Sequence, residues 1–200
     1  QNILQKKYIQ KFLNIGVNFL KPETCYLSYD TKIEPNVIIE GNVTIKTNTT
    51  IKSGTIIKSN SYLEGVIINR DCNIGPNARL RPQTIIGKKS KIGNFVEIKN
   101  SILGNSVAIS HLSYVGDADV GNNVNFGAGS ITCNYDGKKK NKTVIKDNVF
   151  IGSNSSLIAP LKIEKYAIIA AGSVITKNIP HKSLAIERTN LKIVRNKTLK

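Results

Sequence analysis

Bulky apolar residues recur at intervals of six along most of this 200-residue chain. An α-helix repeats every 3.6 residues and an amphipathic strand every two, so neither explains this interval. The interval slips to five after Leu63, Ile98 and Val115. The apolar positions, which we call anchors, are Ile33, Ile39, Ile45, Ile51, Ile57, Leu63, Ile68, Ile74, Leu80, Ile86, Ile92, Ile98, Leu103, Ile109, Val115, Val120, Phe126, Ile145, Ile151, Leu157, Ile163, Ile169 and Ile175.

A unit of six suits one short strand and one corner of a three-sided coil. The residue four places after an anchor is usually small or β-branched, as at Val37, Ala78 and Ser155, which fits the interior beside a corner. Gly and Asn supply corners because they tolerate positive φ. Three units close a turn, and turns stack at about 4.8 Å, the spacing of neighbouring strands. We therefore predict an all-β parallel β-helix. A β-sandwich is disfavoured because units of six leave no room for hairpin loops.

The segments flanking the repeat define the predicted domain organisation. Residues 1–22 are expected to be a helical linker or cap, with the helix over residues 1–20. Residues 23–177 are the hexapeptide-repeat coil, and residues 178–200 lose the repeat and become a basic arm. Each turn buries its anchors only against neighbouring turns, so both ends of the coil need a cover. The predicted apolar face of the helix comprises Leu4, Tyr8, Phe12 and Ile15.

Composition restricts the compartment and the partners. Cys25, Cys72 and Cys133 are odd in number and widely spaced, which matches neither a disulfide framework nor a CxxC metal site and favours a reducing cytoplasm. No stretch approaches the roughly 18–20 apolar residues of a membrane span, so we expect no membrane insertion. The net charge of +16 has two interpretations. It attracts polyanions or phosphorylated small molecules, or it reflects a Lys/Asn/Ile-rich coding bias.

A long interruption of the repeat marks one candidate functional segment. No unit of six can be drawn from Cys133 to Thr143, so residues 133–143 are expected to form a loop extruded from the coil. The loop contains an Asp-Gly turn and a cluster of three lysines. Departures from a regular repeat are where function is expected.

A second irregularity lies near His111, one of two histidines in the chain. Ser113 takes the inward position after the anchor Ile109, so His111 and Tyr114 are expected to point outward. A histidine on a rigid wall can act as a general base. The alternative is a surface histidine without a role. His181, in a turn after the last unit, is interpreted as structural or incidental.

Six segments carry a specific family resemblance. They are ARLRP, IGNFVEIKNS, HLSYVGDADVG, NFGAGSITCNYDGKKK, VFIGSNSSLIAPLKI and IAAGSVIT, in this order. Together they resemble the acetyltransferase half of the bacterial bifunctional family of N-acetylglucosamine-1-phosphate uridylyltransferase/glucosamine-1-phosphate acetyltransferases. The likeness covers nearly the whole chain and is strongest from Ala78 to Thr176. It implies a left-handed coil, against the usual right-handed crossover.

The resemblance implies acetyl-CoA-dependent N-acetylation of glucosamine 1-phosphate, on the route to UDP-N-acetylglucosamine for cell-envelope synthesis. His111 would take a proton from the 2-amino group, and Asn134 would orient that amine. Members of the family are homotrimers with sites between subunits, so Lys140 would serve a neighbour's site. No metal is expected in this half. The sequence leaves open whether the product serves peptidoglycan alone or also lipopolysaccharide.

The resemblance also assigns binding residues. An arginine fork and mobile lysine charges suit a phosphate dianion. The Ala128 N–H and Ser153 would face the thioester carbonyl, Tyr135 the acetyl end, Ala171 the coenzyme groove and Arg188 the CoA phosphates. The residues assigned to the sugar phosphate are Arg81, Lys99, Tyr114, Asn125 and Lys140. Departures from the family pattern are Phe126 and Ser113, where smaller aliphatic and Thr residues are usual.

Several alternatives remain at this point. The family's other half contains a GxGxGTRM segment that this chain lacks, so uridylyl transfer and its Mg²⁺ are not expected here. The chain begins with Gln and contains no Met, which suggests either part of a longer polypeptide or a stand-alone acetyltransferase. Another hexapeptide-repeat sugar or serine acyltransferase is disfavoured by the NYDG loop. A carbonic anhydrase of this fold needs three zinc-binding histidines, and the chain has two. A non-catalytic polyanion-binding scaffold would bind nucleic acid in a salt-dependent manner, and we expect no nucleic-acid partner.

Overall fold

The computed structural model describes residues 2–194 and consists of a three-sided coil of short parallel strands. The chain adds one strand to each of three sheets per turn, so each strand pairs with the strand three places further along, except at the C-terminal end of the first sheet. The coil is a left-handed parallel β-helix of about nine turns, which confirms the predicted fold class.

The three sheets form the three faces of the coil. The first sheet contains β1 (Asn18–Phe19), β4 (Ile38–Ile39), β7 (Ile56–Ile57), β10 (Asn73–Ile74), β13 (Lys91–Asn94), β16 (Ala108–His111), β19 (Asn125–Phe126), β22 (Phe150–Ile151), β25 (Ile168–Ile169) and β27 (Leu184–Ala185). The second contains β2 (Tyr26–Leu27), β5 (Thr44–Ile45), β8 (Tyr62–Leu63), β11 (Arg79–Leu80), β14 (Glu97–Lys99), β17 (Tyr114–Gly116), β20 (Ile131–Cys133), β23 (Ser156–Ile158) and β26 (Val174–Ile175). The third contains β3 (Lys32–Ile33), β6 (Thr50–Ile51), β9 (Val66–Ile68), β12 (Thr84–Ile86), β15 (Ile102–Leu103), β18 (Ala118–Val120), β21 (Thr143–Ile145) and β24 (Leu161–Ile163).

The anchors fill the interior of the coil. None of them is more than 5% exposed, and the small or β-branched residues four places later are also buried. Burying one such aliphatic side chain contributes roughly 1.5–3 kcal/mol, so the stacked anchors supply the main stabilising term. The spacing therefore correctly predicted which residues face inward.

The corners place one residue per unit in the left-handed region of φ. Asn and Gly hold many of these positions, as at Asn60 (φ 61°) and Gly129 (φ 74°). Phe95 (φ 55°) and Leu112 (φ 50°) occupy the same kind of corner although bulky side chains disfavour it. Both side chains are about 60% exposed, so burial does not explain their presence.

The N-terminal helix α1 spans Asn2–Asn14 and is shorter than predicted. It ends because Gly16, at φ 89°, turns the chain into the first strand. That strand begins at Asn18 and therefore lies inside the segment 1–22 that was expected to be a helical linker or cap. The predicted apolar face was partly wrong. Leu4 is 55% and Ile15 45% exposed, whereas Ile9 and Phe12 are buried.

The N-terminal helix is attached to the start of the coil. The Gln5 side chain donates to the Leu27 carbonyl (2.9 Å) and accepts from the Leu27 N–H (3.0 Å), which fixes α1 on the second strand. A short 3₁₀-helix, Pro22–Thr24, precedes that strand.

The described helices contain none that is long and apolar enough to cross a membrane.

The C-terminal boundary also differs from the expected one. Strand β27 lies within the segment 178–200 and pairs with β25, because the sheet pattern continues for one more strand after Ile175. Residues 186–194 follow as an exposed stretch, and residues 195–200 of the expected arm lie outside the described residues. The division into coil and flanking segments otherwise stays a prediction.

Candidate active site

The edge between the first and second faces, which we call edge I, carries His111, Ala128, Ser153 and Ala171 in successive turns. Turns lie about 4.8 Å apart, so this row is roughly 14 Å long. Arg188 lies at its far end, where its Nε donates to the Ala171 carbonyl at 3.1 Å. The backbone hydrogen bonds that stack the row run from Gly129 N to His111 O (3.3 Å), from Asn154 N to Ala128 O (2.8 Å) and from Gly172 N to Ser153 O (2.8 Å).

Glycines beside the row allow its turns to approach closely. A Cβ on Gly127 would lie 2.7 Å from the Gly152 carbonyl carbon, and a Cβ on Gly152 would lie 2.7 Å from the Ala171 Cα. Both distances are shorter than a real Cβ contact, so these positions require glycine. Within the described residues, the Ala128 N–H donates to no acceptor, which leaves it available to a ligand.

His111 is exposed and its ring orientation is fixed by Asn94. Asn94 is the strand partner of His111 in the preceding turn, and its Oδ1 lies 2.8 Å from the His111 Nδ1. An amide oxygen only accepts hydrogen bonds, so Nδ1 carries the proton and Nε2 keeps its lone pair. This arrangement presents Nε2 to solvent as a base.

A cationic cluster lies on the second face and at its edge with the third face, which we call edge II. The Arg81 Nη1 contacts the Glu97 Oε1 at 2.8 Å, which holds the guanidinium against the strand. Lys99 is the strand neighbour of Arg81 in the next turn. The pKa of Lys99 lies below its usual value, first because its side chain lies within hydrogen-bonding reach of Lys140, and then because of desolvation and the repulsion between the two charges.

Tyr114 and Asn134 meet over Gly116. The Asn134 Nδ2 lies 3.4 Å from the Tyr114 hydroxyl, and it also donates to the Asp117 carboxylate. A Cβ on Gly116 would overlap the Tyr114 ring and would lie 2.8 Å from the Asn134 Nδ2. Glycine at this position therefore lets the tyrosine and the asparagine come together against the coil wall.

The extruded loop is a small closed structure, and its predicted first and last residues, Cys133 and Thr143, lie in strands β20 and β21. Tyr135 and Lys140 form an antiparallel bridge, and the Asp136 carboxylate accepts from the backbone N–H groups of Lys138 (2.9 Å) and Lys139 (2.8 Å). These hydrogen bonds lower the pKa of Asp136 to about 2. The loop thereby holds Lys140 beside Lys99 of the same chain. Its assignment to a neighbour's site stays a prediction.

The structure divides the predicted site residues into two groups and two separate positions. The row along edge I forms one group. Arg81, Lys99, Tyr114, Asn134 and Lys140 form a second group on the second face and edge II. Asn125 lies on the first face, in β19. Tyr135 lies on the loop, where its hydroxyl donates to the Gly137 carbonyl at 2.7 Å, and it does not lie beside the row.

A cleft of about 620 Å³ lies beneath the loop on the third face. Its floor includes Ile67, Ile85 and Ile102, and its rim includes Lys140 and Lys142. Ile67 is 41% and Ile102 52% exposed, so this face presents apolar surface to its surroundings. Among residues 2–194, no three His, Cys, Asp or Glu side chains lie close enough to share a metal ion.

Sequence reasoning missed three residues that hold the site side chains. Asn94 orients His111, Glu97 holds Arg81, and Asp117 accepts a hydrogen bond from Asn134. A signal was available, because a turn with one slip contains 17 residues. Two of these contacts span that interval: Asn94 with His111, and Asp117 with Asn134.

Comparisons with known proteins agree with this description. The family model described as bacterial transferase hexapeptide (six repeats) matches residues 30–65 and 142–177, and the GMPPB C-terminal domain matches residues 62–135. The crystal structure of the Francisella novicida UDP-N-acetylglucosamine acyltransferase aligns with a TM-score of 0.53 and 19% identity, covering 82% of this chain and 65% of that one. At this identity the likeness concerns the fold alone.

Full-length relatives are closer in sequence. The bifunctional protein GlmU of Bartonella bacilliformis is 50% identical over 196 residues, which cover 98% of this chain and 44% of that protein. GlmU of Bartonella quintana is 49% identical over 187 residues, covering 94% of this chain and 42% of that protein. The chain thus spans less than half the length of these relatives. Over nearly all of its length, the chain is homologous to a segment of the bifunctional GlmU proteins.

Proposed function

We propose that this chain is the acetyltransferase part of a GlmU-type enzyme and transfers the acetyl group of acetyl-CoA to the amine of glucosamine 1-phosphate. One observation carries the proposal. Along edge I the order is His111, Ala128, Ser153, Ala171 and then the Arg188 guanidinium. Acetyl-CoA is a long molecule with its thioester at one end and its phosphates towards the other. The order of the row supports a coenzyme that lies along it, with its thioester near His111 and Ala128 and its phosphates near Arg188.

The second face supports the identity of the acceptor. Arg81, Lys99 and Lys140 offer three positive charges, two of them close enough to perturb each other. A phosphate dianion would relieve the repulsion between Lys99 and Lys140. Tyr114 and Asn134 lie next to this cluster and offer polar groups to the sugar.

The chemistry follows from these positions. The His111 Nε2 takes a proton from the sugar amine, whose nitrogen attacks the acetyl carbonyl carbon and forms the C–N bond. The Ala128 N–H stabilises the negative charge that develops on the carbonyl oxygen. The C–S bond then breaks, and the CoA thiolate leaves and accepts a proton. N-acetylglucosamine 1-phosphate and CoA are the products.

We propose that the active enzyme is a homotrimer with sites between subunits. A three-sided coil is convex, so side chains on different faces diverge. Asn125 on the first face and Arg81 and Lys99 on the second face reach one small substrate only in a groove between two chains. The cleft beneath the loop, with exposed Ile67 and Ile102, supports docking of a second chain there.

We also propose a cytoplasmic location and a role in supplying UDP-N-acetylglucosamine for the cell envelope, including peptidoglycan and, in organisms that make it, lipopolysaccharide. The three free cysteines support a reducing compartment. The GlmU relatives support the pathway.

The decisive experiment follows release of the CoA thiol from acetyl-CoA by the purified chain. Parallel reactions contain glucosamine 1-phosphate, glucosamine or no acceptor. Release that depends on the 1-phosphate is expected, because the Arg81, Lys99 and Lys140 cluster binds that group. Equal rates with glucosamine would show that the enzyme does not recognise the 1-phosphate group. No release with any acceptor would reject the acetyltransferase function.

A further inference from the structure

We infer that Asp117 is a positioning residue that fixes the side-chain amide of Asn134, so that the Asn134 carbonyl oxygen accepts a hydrogen bond from the acceptor amine. This inference rests on the function proposed above. The GlmU resemblance assigned Asn134 to the amine but gave Asp117 no role.

The contacts of Asp117 carry the inference. One carboxylate oxygen accepts from the Asn134 Nδ2 and the other from the Asn100 Nδ2. Asn134 is only 8% exposed, so its amide has little access to water that could replace a lost partner. A charged acceptor makes a stronger hydrogen bond than a neutral one, and the pair is partly shielded.

The charge of Asp117 decides which end of the amide faces outward. An asparagine side chain has one donor end and one acceptor end, and the two orientations are nearly isosteric. An ionised carboxylate accepts only, so Asn134 must present its NH₂ group to Asp117 and to the Tyr114 hydroxyl. Its carbonyl oxygen then points the other way and can orient an amine. Without the charge, the amide is free to rotate and to present a donor where an acceptor is needed.

A second route to the active site exists and makes a different prediction. Asp117 also stabilises the positive charge of Lys99, because it opposes the pKa lowering caused by Lys140. A role through Lys99 would affect binding of the sugar phosphate. A role through Asn134 would affect the reaction of the bound amine. The saturation constant KM and the turnover number kcat therefore separate the two routes.

The test compares Asp117→Gly, Asn134→Ala and the double variant in the thiol-release assay with glucosamine 1-phosphate. Glycine suits the corner, since Asp117 has φ 51°, and the melting temperature of each variant checks the fold. Asp117→Gly is expected to lower kcat about tenfold to a hundredfold, since misplacing one reacting group has effects of that size. KM should change little. The double variant should match Asn134→Ala, because Asp117 has no amide left to position.

Asp119→Ala is the matched control, because its carboxylate lies two residues further on and contacts Lys142 at 2.5 Å. It should keep the wild-type kcat. An unchanged kcat in Asp117→Gly, a rise confined to KM, or additive losses in the double variant would each overturn the inference. If the wild type releases no thiol, the proposed function fails instead. A neutron crystal structure of Asp117→Gly, which distinguishes the amide oxygen from the nitrogen, then decides, and an Asn134 amide in the wild-type orientation would count against the positioning role.

Discussion

The two histidines of the chain show how surroundings decide the use of one side chain. His111 has one ring nitrogen held by Asn94 at 2.8 Å and the other open to solvent at the head of the row on edge I. His181 packs its ring edge-on against Tyr166, with 5.7 Å between the centroids, near the end of the coil. Only His111 combines a fixed tautomer with a place at the head of the proposed coenzyme row.

Replacing each histidine by alanine therefore separates a general base from a packing residue. His111→Ala is expected to lower the turnover of thiol release about 10²–10⁴-fold, the usual contribution of a general base. Acetyl-CoA binding, measured by calorimetry, should persist because the rest of the row is intact. His181→Ala should keep the wild-type turnover. Unchanged turnover in His111→Ala would remove this residue from the mechanism.

The sequence predicted the interior of the coil better than its outer contacts. Ile45 and Ile151 were identified as buried because the interval of six decides which side chain faces inward. The contact between Asp117 and Asn134 was missed because it joins two turns, and predicting it requires the 17-residue length of a turn with one slip. Stacking of outward residues depends on where the slips to five fall, and each slip shifts every later residue by one position.

Asn or Gly holds the left-handed position in most turns along edge I, and two turns depart from this pattern. Asn60, Asn77 and Asn154 occupy the left-handed position of this corner in other turns, whereas Phe95 and Leu112 occupy it beside His111. A bulky side chain in the left-handed region costs about 1–2 kcal/mol relative to a residue that tolerates it. Burial does not offset this cost at Leu112, and Leu112 directly follows His111, so we expect its side chain to serve the reaction.

Leu112→Asn should consequently make the protein more stable and less active. Asparagine removes the backbone strain, so the free energy of unfolding should rise by about 0.5–1 kcal/mol. Turnover should fall, because a polar residue replaces the apolar neighbour of His111. Chemical denaturation and thiol release measure the two effects. Ile168→Asn is the control, since Ile168 is 47% exposed but lies in a regular strand. Lower stability in Leu112→Asn would show that the leucine is not strained.

Stability of the whole coil is a sum over contacts between neighbouring turns. Side chains supplement the backbone ladder at the edge between the third and first faces. Asn105 accepts from the Lys88 N–H, Asn122 from the Asn105 N–H, and Asp147 from the Asn122 N–H, each at 2.8 Å. Asp147 ends this series and also contacts Lys165 at 2.9 Å.

The pKa of Asp147 is lowered, first by the Asn122 N–H and then by Lys165. A depressed carboxyl pKa gives stability that is present above the unfolded pKa of about 4 and is lost as pH falls through the folded pKa. Asp147→Asn should thus be less stable than wild type at pH 7 and should lose less stability between pH 5 and pH 3. Lys165→Gln should keep most of the acid dependence, because the main cause is the backbone N–H. Urea unfolding at these pH values provides the test, and an acid loss in Asp147→Asn equal to that of wild type would contradict it.

If each active site lies between two subunits, two inactive variants should regain activity when they form mixed trimers. Arg81→Ala weakens the phosphate cluster on the second face, and Asn125→Arg places bulk in the site from the first face. If one site takes Arg81 from one chain and Asn125 from another, equal mixing after dissociation should leave about a quarter of the sites intact. If one chain supplied both residues, no site would be intact in any mixture. Thiol release after unfolding and refolding the two variants together, compared with each refolded alone, distinguishes these cases. Activity no higher than that of either variant, from mixed trimers verified by two different tags, would reject the site between subunits.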